Sequence, residues 1–291
     1  MQKTVRKILR AVADYDPDYY DMRADPNEQW FAKLYVERII RHAEAAGIRP
    51  PATEPGALRS ARGGDGSAGV GGRPRPTLLE AGCQAGRLVV PFAERGFQVT
   101  GVDTSRFALR RARAHAKAAG VNATFAQGDL MHVLRRDPQR QFDIVVCAEV
   151  LYLSPHYREM LRTLAGAVRP GGLLCVSHRP KSYYLLEAIR QDDLATAAAV
   201  LERSEGPFRD SAYYNWQTEE ELRDLYGSLG LRWVALHPID HVAWAGGVKL
   251  ETLTDEQRAQ WLELELRLTR DLIGTCARYV LVVAAKPHGA Q

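Results

Sequence analysis

At 291 residues the chain is long enough for one α/β domain with extensions, and its 46% hydrophobic content suffices for a core. A net charge of +4 demands no nucleic-acid partner, and four scattered cysteines without a Cys-x-x-Cys pair argue against a structural zinc site. The basic N-terminus has no apolar stretch behind it, and no apolar run reaches the length of a bilayer crossing, so the expectation is a protein of a reducing cytoplasm without a membrane partner.

Residues 1–49 read as an N-terminal helical cap, because Trp30, Phe31, Leu34, Tyr35, Ile39 and Ile40 recur near helical spacing before Gly47 and the Pro50-Pro51 pair. Residues 50–76 are rich in Pro, Gly, Ala and Arg, bury little, and read as a flexible linker. From Thr77 strand and helix alternate. Strands are predicted near 77–81, 98–102, 122–127, 142–147 and 172–177, and helices near 85–95, 105–119 and 155–168. Alternation of this kind predicts a Rossmann-like, mostly parallel sheet with helices on both faces. The Thr218-Glu-Glu-Glu221 capping box starts a helix that ends at Gly230. Strands near 231–237 and 276–285 bring the sheet to seven, and the domain is expected to span 77–287. Segments 179–217 and 238–275 exceed what such a core needs and are expected to form a lid over a substrate. Within the second, a helix is predicted over 254–272, although Leu262, Leu264, Leu266 and Leu268 alternate like a strand.

The informative segment is Thr77-Leu-Leu-Glu-Ala-Gly-Cys-Gln-Ala-Gly-Arg-Leu88, answered by Gly101-Val-Asp-Thr-Ser105. A strand runs into a glycine-bearing turn and a helix, and a second strand ends in an acid about twenty residues on, the arrangement of a nucleoside site. Gly82 and Gly86 permit close approach of the backbone, and Asp103 can accept both hydroxyls of a ribose. Glu80 sits inside the turn, where it would repel a pyrophosphate, and so favours a ligand with an ammonium or sulfonium charge.

The series Glu80-Ala-Gly82-Cys-Gln-Ala-Gly86, Gly101-Val-Asp103, Gln127-Gly-Asp129-Leu130, Phe142–Leu153 and Val168–Ser177 resembles, segment by segment and in order, the class I S-adenosylmethionine-dependent methyltransferases. Gln84 departs from that pattern, standing where many members have a glycine, and calls for a left-handed backbone or an altered turn. The resemblance implies that the last strand runs antiparallel to the rest. It implies S-adenosylmethionine as cofactor, with Glu80 organising the turn and facing the methionine end, and Gly82 and Gly86 beside the ligand. Asp103 would take the ribose, Asp129 and the Leu130 N–H the adenine, and the Ala148 carbonyl the ammonium. Tyr19 or Tyr20, in the acidic, aromatic run Asp14–Asp21, would close over the cofactor, or that run is a solvated turn. For Asp129 a helix N-cap stays open as the second reading.

Methyl transfer needs donor and acceptor held together without water, and a general base only for some acceptors. Glu149 and Tyr152 follow the fourth strand, where the methyl should point, and His178 ends the fifth as the candidate base. A hydrogen-bonded surface histidine and a packed tyrosine are the competing readings. Tyr213, Tyr214 and Trp216 form either an aromatic wall for a flat acceptor or a small core of the lid. The basic run Arg106, Arg110, Arg111, Arg113, Lys117 reads first as a solvated helix face and second as an RNA contact. No metal is expected. The chain is thus read as transferring a methyl group to oxygen or nitrogen of a small molecule. The alternatives are a tRNA or protein methyltransferase of the same fold, a non-catalytic cofactor-binding scaffold, and, disfavoured by Glu80, an NAD-dependent oxidoreductase.

Overall fold

A computed structural model describes residues 25–51, 74–208 and 212–288. Residues 1–24 of the expected cap, Tyr19 and Tyr20 among them, lie outside these, as do residues 52–73 of the expected linker.

The first described helix, α1 (Pro26–Ala45), begins where Asp25 accepts hydrogen bonds from the Asn27 and Glu28 N–H groups and Pro26 presets the first turn. Its apolar stripe, Trp30, Phe31, Leu34, Tyr35 and Ile39, is fully buried, and each such side chain contributes about 1.5–3 kcal/mol of burial. Strands β1 (Thr77–Ala81), β2 (Gln98–Asp103), β3 (Ala123–Gln127), β4 (Phe142–Cys147) and β5 (Val168–His178) follow in turn. Between them lie α2 (Val89–Glu94), α3 (Arg106–Ala118), α4 (Leu130–Arg136) and α5 (Tyr157–Gly166). The expected start of a helix near Ala85 is corrected: residues 82–88 remain in turns, and α2 begins only at Val89.

After β5 comes a lobe of α6 (Lys181–Ile189), α7 (Leu194–Glu202) and a hairpin of β6 (Glu205–Phe208) and β7 (Ala212–Asn215). It has its own core of Tyr184, Ala188, Ala197, Val200, Phe208 and Trp216. Helix α8 (Glu219–Ser228) starts at the expected capping box, and β8 (Arg232–Ile239) returns to the main sheet. The second excursion holds α9 (His241–Trp244), α10 (Asp255–Arg267) and α11 (Arg270–Ile273), before β9 (Tyr279–Ala285) closes the sheet. The leucine run is helical through Leu266, but the helix expected to reach 272 stops at Arg267, with Leu268 extended at its C-cap. Leu262 and Leu266, four apart, pack on the core, while Leu264 is 41% exposed.

The main sheet has the order β3-β2-β1-β4-β5-β9-β8, with β9 antiparallel to both neighbours. It is buried on both faces: Leu78 and Ile144 join the core on the α1 side, Leu79 and Val145 the core on the α5 side. The chain order reverses between β1 and β4, so a crevice opens beyond their carboxyl ends, where open α/β sheets bind ligands. Among the described residues no helix is long and apolar enough to cross a membrane.

Candidate functional site

A cavity of about 420 Å³ occupies that crevice, lined from the ends of four neighbouring strands. From β1 come Glu80 and the turn residues Gly82, Cys83, Gln84 and Arg87; from β2, Val102, Asp103 and Thr104. Gly128, Asp129 and Leu130 follow β3, and Ala148, Glu149, Val150 and Tyr152 follow β4, with Met160 behind them. Of the residues expected from sequence, the fold brings Glu80, Gly82, Asp103, Asp129, Leu130, Ala148, Glu149 and Tyr152 to one cavity. Gly86 and His178 are not among its walls.

The turn after β1 is held from two sides. The Gly82 and Cys83 N–H groups donate to the Val102 carbonyl at 2.8 and 3.0 Å. Gly82 has φ +79°, and a Cβ there would meet Val150 Cγ2 at 2.3 Å. Gln84 takes the left-handed backbone its position calls for, φ +46°. Its N–H donates to Asp103 Oδ2 at 2.8 Å, and its own Oε1 accepts from the Ala85 N–H at 2.5 Å. A side chain therefore does the local work of a third glycine by capping its own turn. Gly86, φ +82°, serves packing: its Cβ position is 3.4 Å from the Ala112 Cβ on α3. That corrects its expected place beside the ligand.

The acids differ in environment. Glu80 is 2% exposed, with Oε2 buried and unpartnered. Burial pushes its carboxyl up to about 8, opposed by the nearby Arg87 charge and by the Val89 and Leu88 N–H groups. Asp103 accepts one backbone N–H on each oxygen, from Gln84 and from Ser105 at 2.9 Å, which fixes the carboxylate plane and leaves further acceptor capacity. Asp129 is the helix N-cap that the sequence allowed as its second reading. Its Oδ1 caps α4 through Met131 N–H at 2.9 Å and His132 N–H at 3.2 Å, while the residue also lines the cavity.

Glu149 has φ +63°, and its N–H donates to Ser177 Oγ at 2.6 Å. Its Oε1 accepts from Arg87 Nη2 at 2.8 Å, and Arg87 Nη1 also donates to Glu28 Oε2 on α1 at 2.5 Å. Sequence reasoning missed Arg87, although a lone charge inside the apolar run Ala85–Pro91 is a signal that a buried partner exists. Tyr152 is 6% exposed in a short turn of helix after β4, and burial raises its hydroxyl above the usual tyrosine range.

His178 is corrected as the candidate base. The β5 ladder runs through it, paired with Val280, so its side chain enters the core on the α8 side. It is 1% exposed, its Nε2 lies 2.9 Å from Tyr226 Oη, and burial pushes it down to about 3. Of the expected aromatic wall, Trp216 belongs to the lobe's own core and Tyr214 packs beside Tyr184 and Phe208. On the basic helix, Arg110 lies over Phe107 and Arg113 over Phe125.

Comparison with known proteins matches residues 78–172 to the family described as a methyltransferase domain. Over 103 residues the chain is 38% identical to the ubiquinone biosynthesis O-methyltransferase of Serratia proteamaculans (strain 568), covering 35% of this chain and 42% of that protein. Over 112 residues it is 36% identical to the protein of the same name from Aeromonas salmonicida (strain A449), covering 38% and 47%. The matched stretch spans less than half of these relatives. Among solved structures, the magnesium protoporphyrin IX methyltransferase of Synechocystis PCC 6803 with bound SAH is similar with a TM-score of 0.55 at 17% identity, covering 98% of this chain and all of that one (100%). An S-adenosylmethionine-dependent methyltransferase from Clostridium acetobutylicum ATCC 824 gives 0.51 at 12% identity, covering 99% and 98%. At such identities the likeness is one of fold.

Proposed function

We propose that the chain, whose residues 78–172 match the methyltransferase-domain family, is a class I S-adenosylmethionine-dependent methyltransferase that transfers the methyl group to an oxygen or nitrogen of a small-molecule acceptor. The observation that carries this reading is the acidic lining of the cavity at the strand-order reversal, with Glu80, Asp103, Asp129 and Glu149 facing the single cation Arg87 among its walls. Such a lining suits a ligand with sulfonium and ammonium charges and opposes a pyrophosphate. The unpartnered Oε2 of Glu80 fits the same ligand, since a buried acceptor of that kind calls for a donor or a cation.

When bound, the cofactor supplies an electrophilic methyl on sulfur. The chain's own residues orient and enclose. Asp103, its plane fixed by two backbone N–H groups, accepts the ribose hydroxyls. Asp129, with one oxygen committed to α4, has the other for the adenine amino group, beside the Leu130 N–H. Ala148 offers its carbonyl to the ammonium, and Glu80 together with Gly82 shapes the methionine end. Tyr152 and Glu149 bound the side from which an acceptor approaches. With Glu149 held by Arg87 and Tyr152 buried as a neutral phenol, catalysis rests on positioning and exclusion of water, and an acceptor of low pKa is favoured.

Calorimetry with S-adenosylmethionine, S-adenosylhomocysteine and NAD tests the reading. Binding of the first two without the third is expected, with labelled methyl transferred to small-molecule rather than RNA fractions of an extract. NAD binding without sulfonium binding would sink it.

A further inference from the structure

Arg179 carries a charge that the fold does not neutralise. It follows the last residue of β5, one strand across from the end of β4 that opens the cavity, and it is partly buried. Its guanidinium carbon lies 4.5 Å from the ring centres of Tyr152 and Tyr183 and 4.9 Å from that of Tyr279. Nη2 donates to Tyr279 Oη at 2.9 Å, while Nε–H is buried without an acceptor. Among the described residues no carboxylate pairs with it, and the groups acting on it are tyrosines. Arg87, the other shielded arginine of the site, has two carboxylates.

Aromatic faces compensate part of a desolvated cation, about 0.5–2 kcal/mol each. They accept few hydrogen bonds, and a guanidinium has five N–H donors in a fork matched to a carboxylate. A cation held this way is short of an anion. Tyr152 belongs both to this cage and to the wall of the cofactor cavity, so an anion at Arg179 would sit beside the transfer site. Tyr183 continues the aromatic surface to Trp244, ring centres 5.1 Å apart and 32° between planes.

We propose that Arg179 anchors a carboxylate on a flat aromatic acceptor, with Tyr152, Tyr183 and Tyr279 as the surrounding rings. The proposal rests on the methyltransferase reading and adds the chemical class of the acceptor. Arg179 acts on specificity and touches no reacting atom, so its loss should raise the acceptor KM more than it lowers kcat.

The test is calorimetry on the full chain saturated with S-adenosylhomocysteine, using matched probes: protocatechuate against catechol, and caffeate against its methyl ester. The carboxylate of each pair is expected to bind at least about tenfold tighter than its neutral partner. Arg179→Gln should erase that preference while S-adenosylhomocysteine affinity stays within about twofold, and Arg179→Lys should keep part of it. Equal binding within both pairs by the native chain overturns the proposal without any variant, as does a preference that survives Arg179→Gln. Failure of S-adenosylhomocysteine itself to bind is a separate result and counts against the methyltransferase reading.

Discussion

Arg87 Nη2 and Glu149 Oε1 meet at 2.8 Å, joining the glycine turn after β1 to the loop after β4 across the floor of the cavity. The same guanidinium reaches Glu28 on α1, so the helix that covers one face of the sheet is tied to the cofactor site through one buried cation. Burial raises the Glu28 carboxyl despite Arg87, which marks the ion pair as costly to desolvate and dependent on its partner.

Arg87→Met should therefore destabilise the protein by about 3 kcal/mol or more, because it leaves two shielded carboxylates without a cation. Glu28→Gln should cost less, since the Arg87–Glu149 pair persists. Urea denaturation of the two variants decides it: a loss below about 1 kcal/mol for Arg87→Met would show that the triad contributes little. Cofactor affinity should fall in both, through the turn and through α1 respectively.

Glu80 makes cofactor binding pH-dependent. With its carboxyl pushed up to about 8 by burial, it is mostly protonated at pH 7 in the free protein, and a sulfonium favours the carboxylate. Affinity for S-adenosylmethionine should rise with pH up to about 8 and then level, by at most about tenfold per pH unit, with proton release on binding. S-Adenosylhomocysteine, which lacks the sulfonium charge, should show a shallower profile, and Glu80→Gln a flat one. Calorimetry in buffers of different ionisation enthalpy reads the proton directly. Folding runs the other way: between 4.5 and about 8 the native state holds a proton that the unfolded chain releases, so this group's contribution to stability declines as pH rises through that window.

His178 has the opposite sign. Its folded value of about 3 lies below the ordinary 6.5, so the unfolded chain takes up the proton first, and stability is lost as pH falls from 6.5 toward 3. The slope for one such group reaches about 1.4 kcal/mol per pH unit. His178→Phe should remove this limb from the stability profile, while His237, also held near 3 by burial, retains its own. Methyl transfer should keep its pH profile in His178→Phe. A lost alkaline or acid limb in turnover would restore the base role.

Most of the sheet was readable because strands buried on both faces are short, uninterrupted apolar runs, as in Ile144–Cys147 and Val280–Ala284. The cavity acids were readable because each lies at or just beyond the carboxyl end of a strand. His178 was not, because a strand end in sequence does not reveal that the ladder continues to Val280 and keeps the ring inside. Helix α7 gave no one-sided stripe: Leu194 is 82% and Leu201 61% exposed, while Ala197 and Val200 supply the small buried face. Arg87 escaped because its two partners are 59 and 62 residues away in the chain, a distance no local pattern encodes.

Gly82 offers a test of the turn that separates strain from contact. Both Gly82 and Gly120 have left-handed φ, +79° and +68°, so alanine at either adds about 1 kcal/mol of backbone strain. Nothing lies within 4 Å of the Gly120 Cβ position, whereas the one at Gly82 falls 2.3 Å from Val150 Cγ2, which lines the cavity. Gly120→Ala should thus lower stability by about 1 kcal/mol and leave cofactor affinity unchanged. Gly82→Ala should lose a further 1–3 kcal/mol, roughly the cost of overpacking, and weaken S-adenosylmethionine binding at least about tenfold as Val150 and the turn move apart. Equal effects of the two substitutions on binding would mean that the close approach of Gly82 to Val150 does not shape the site.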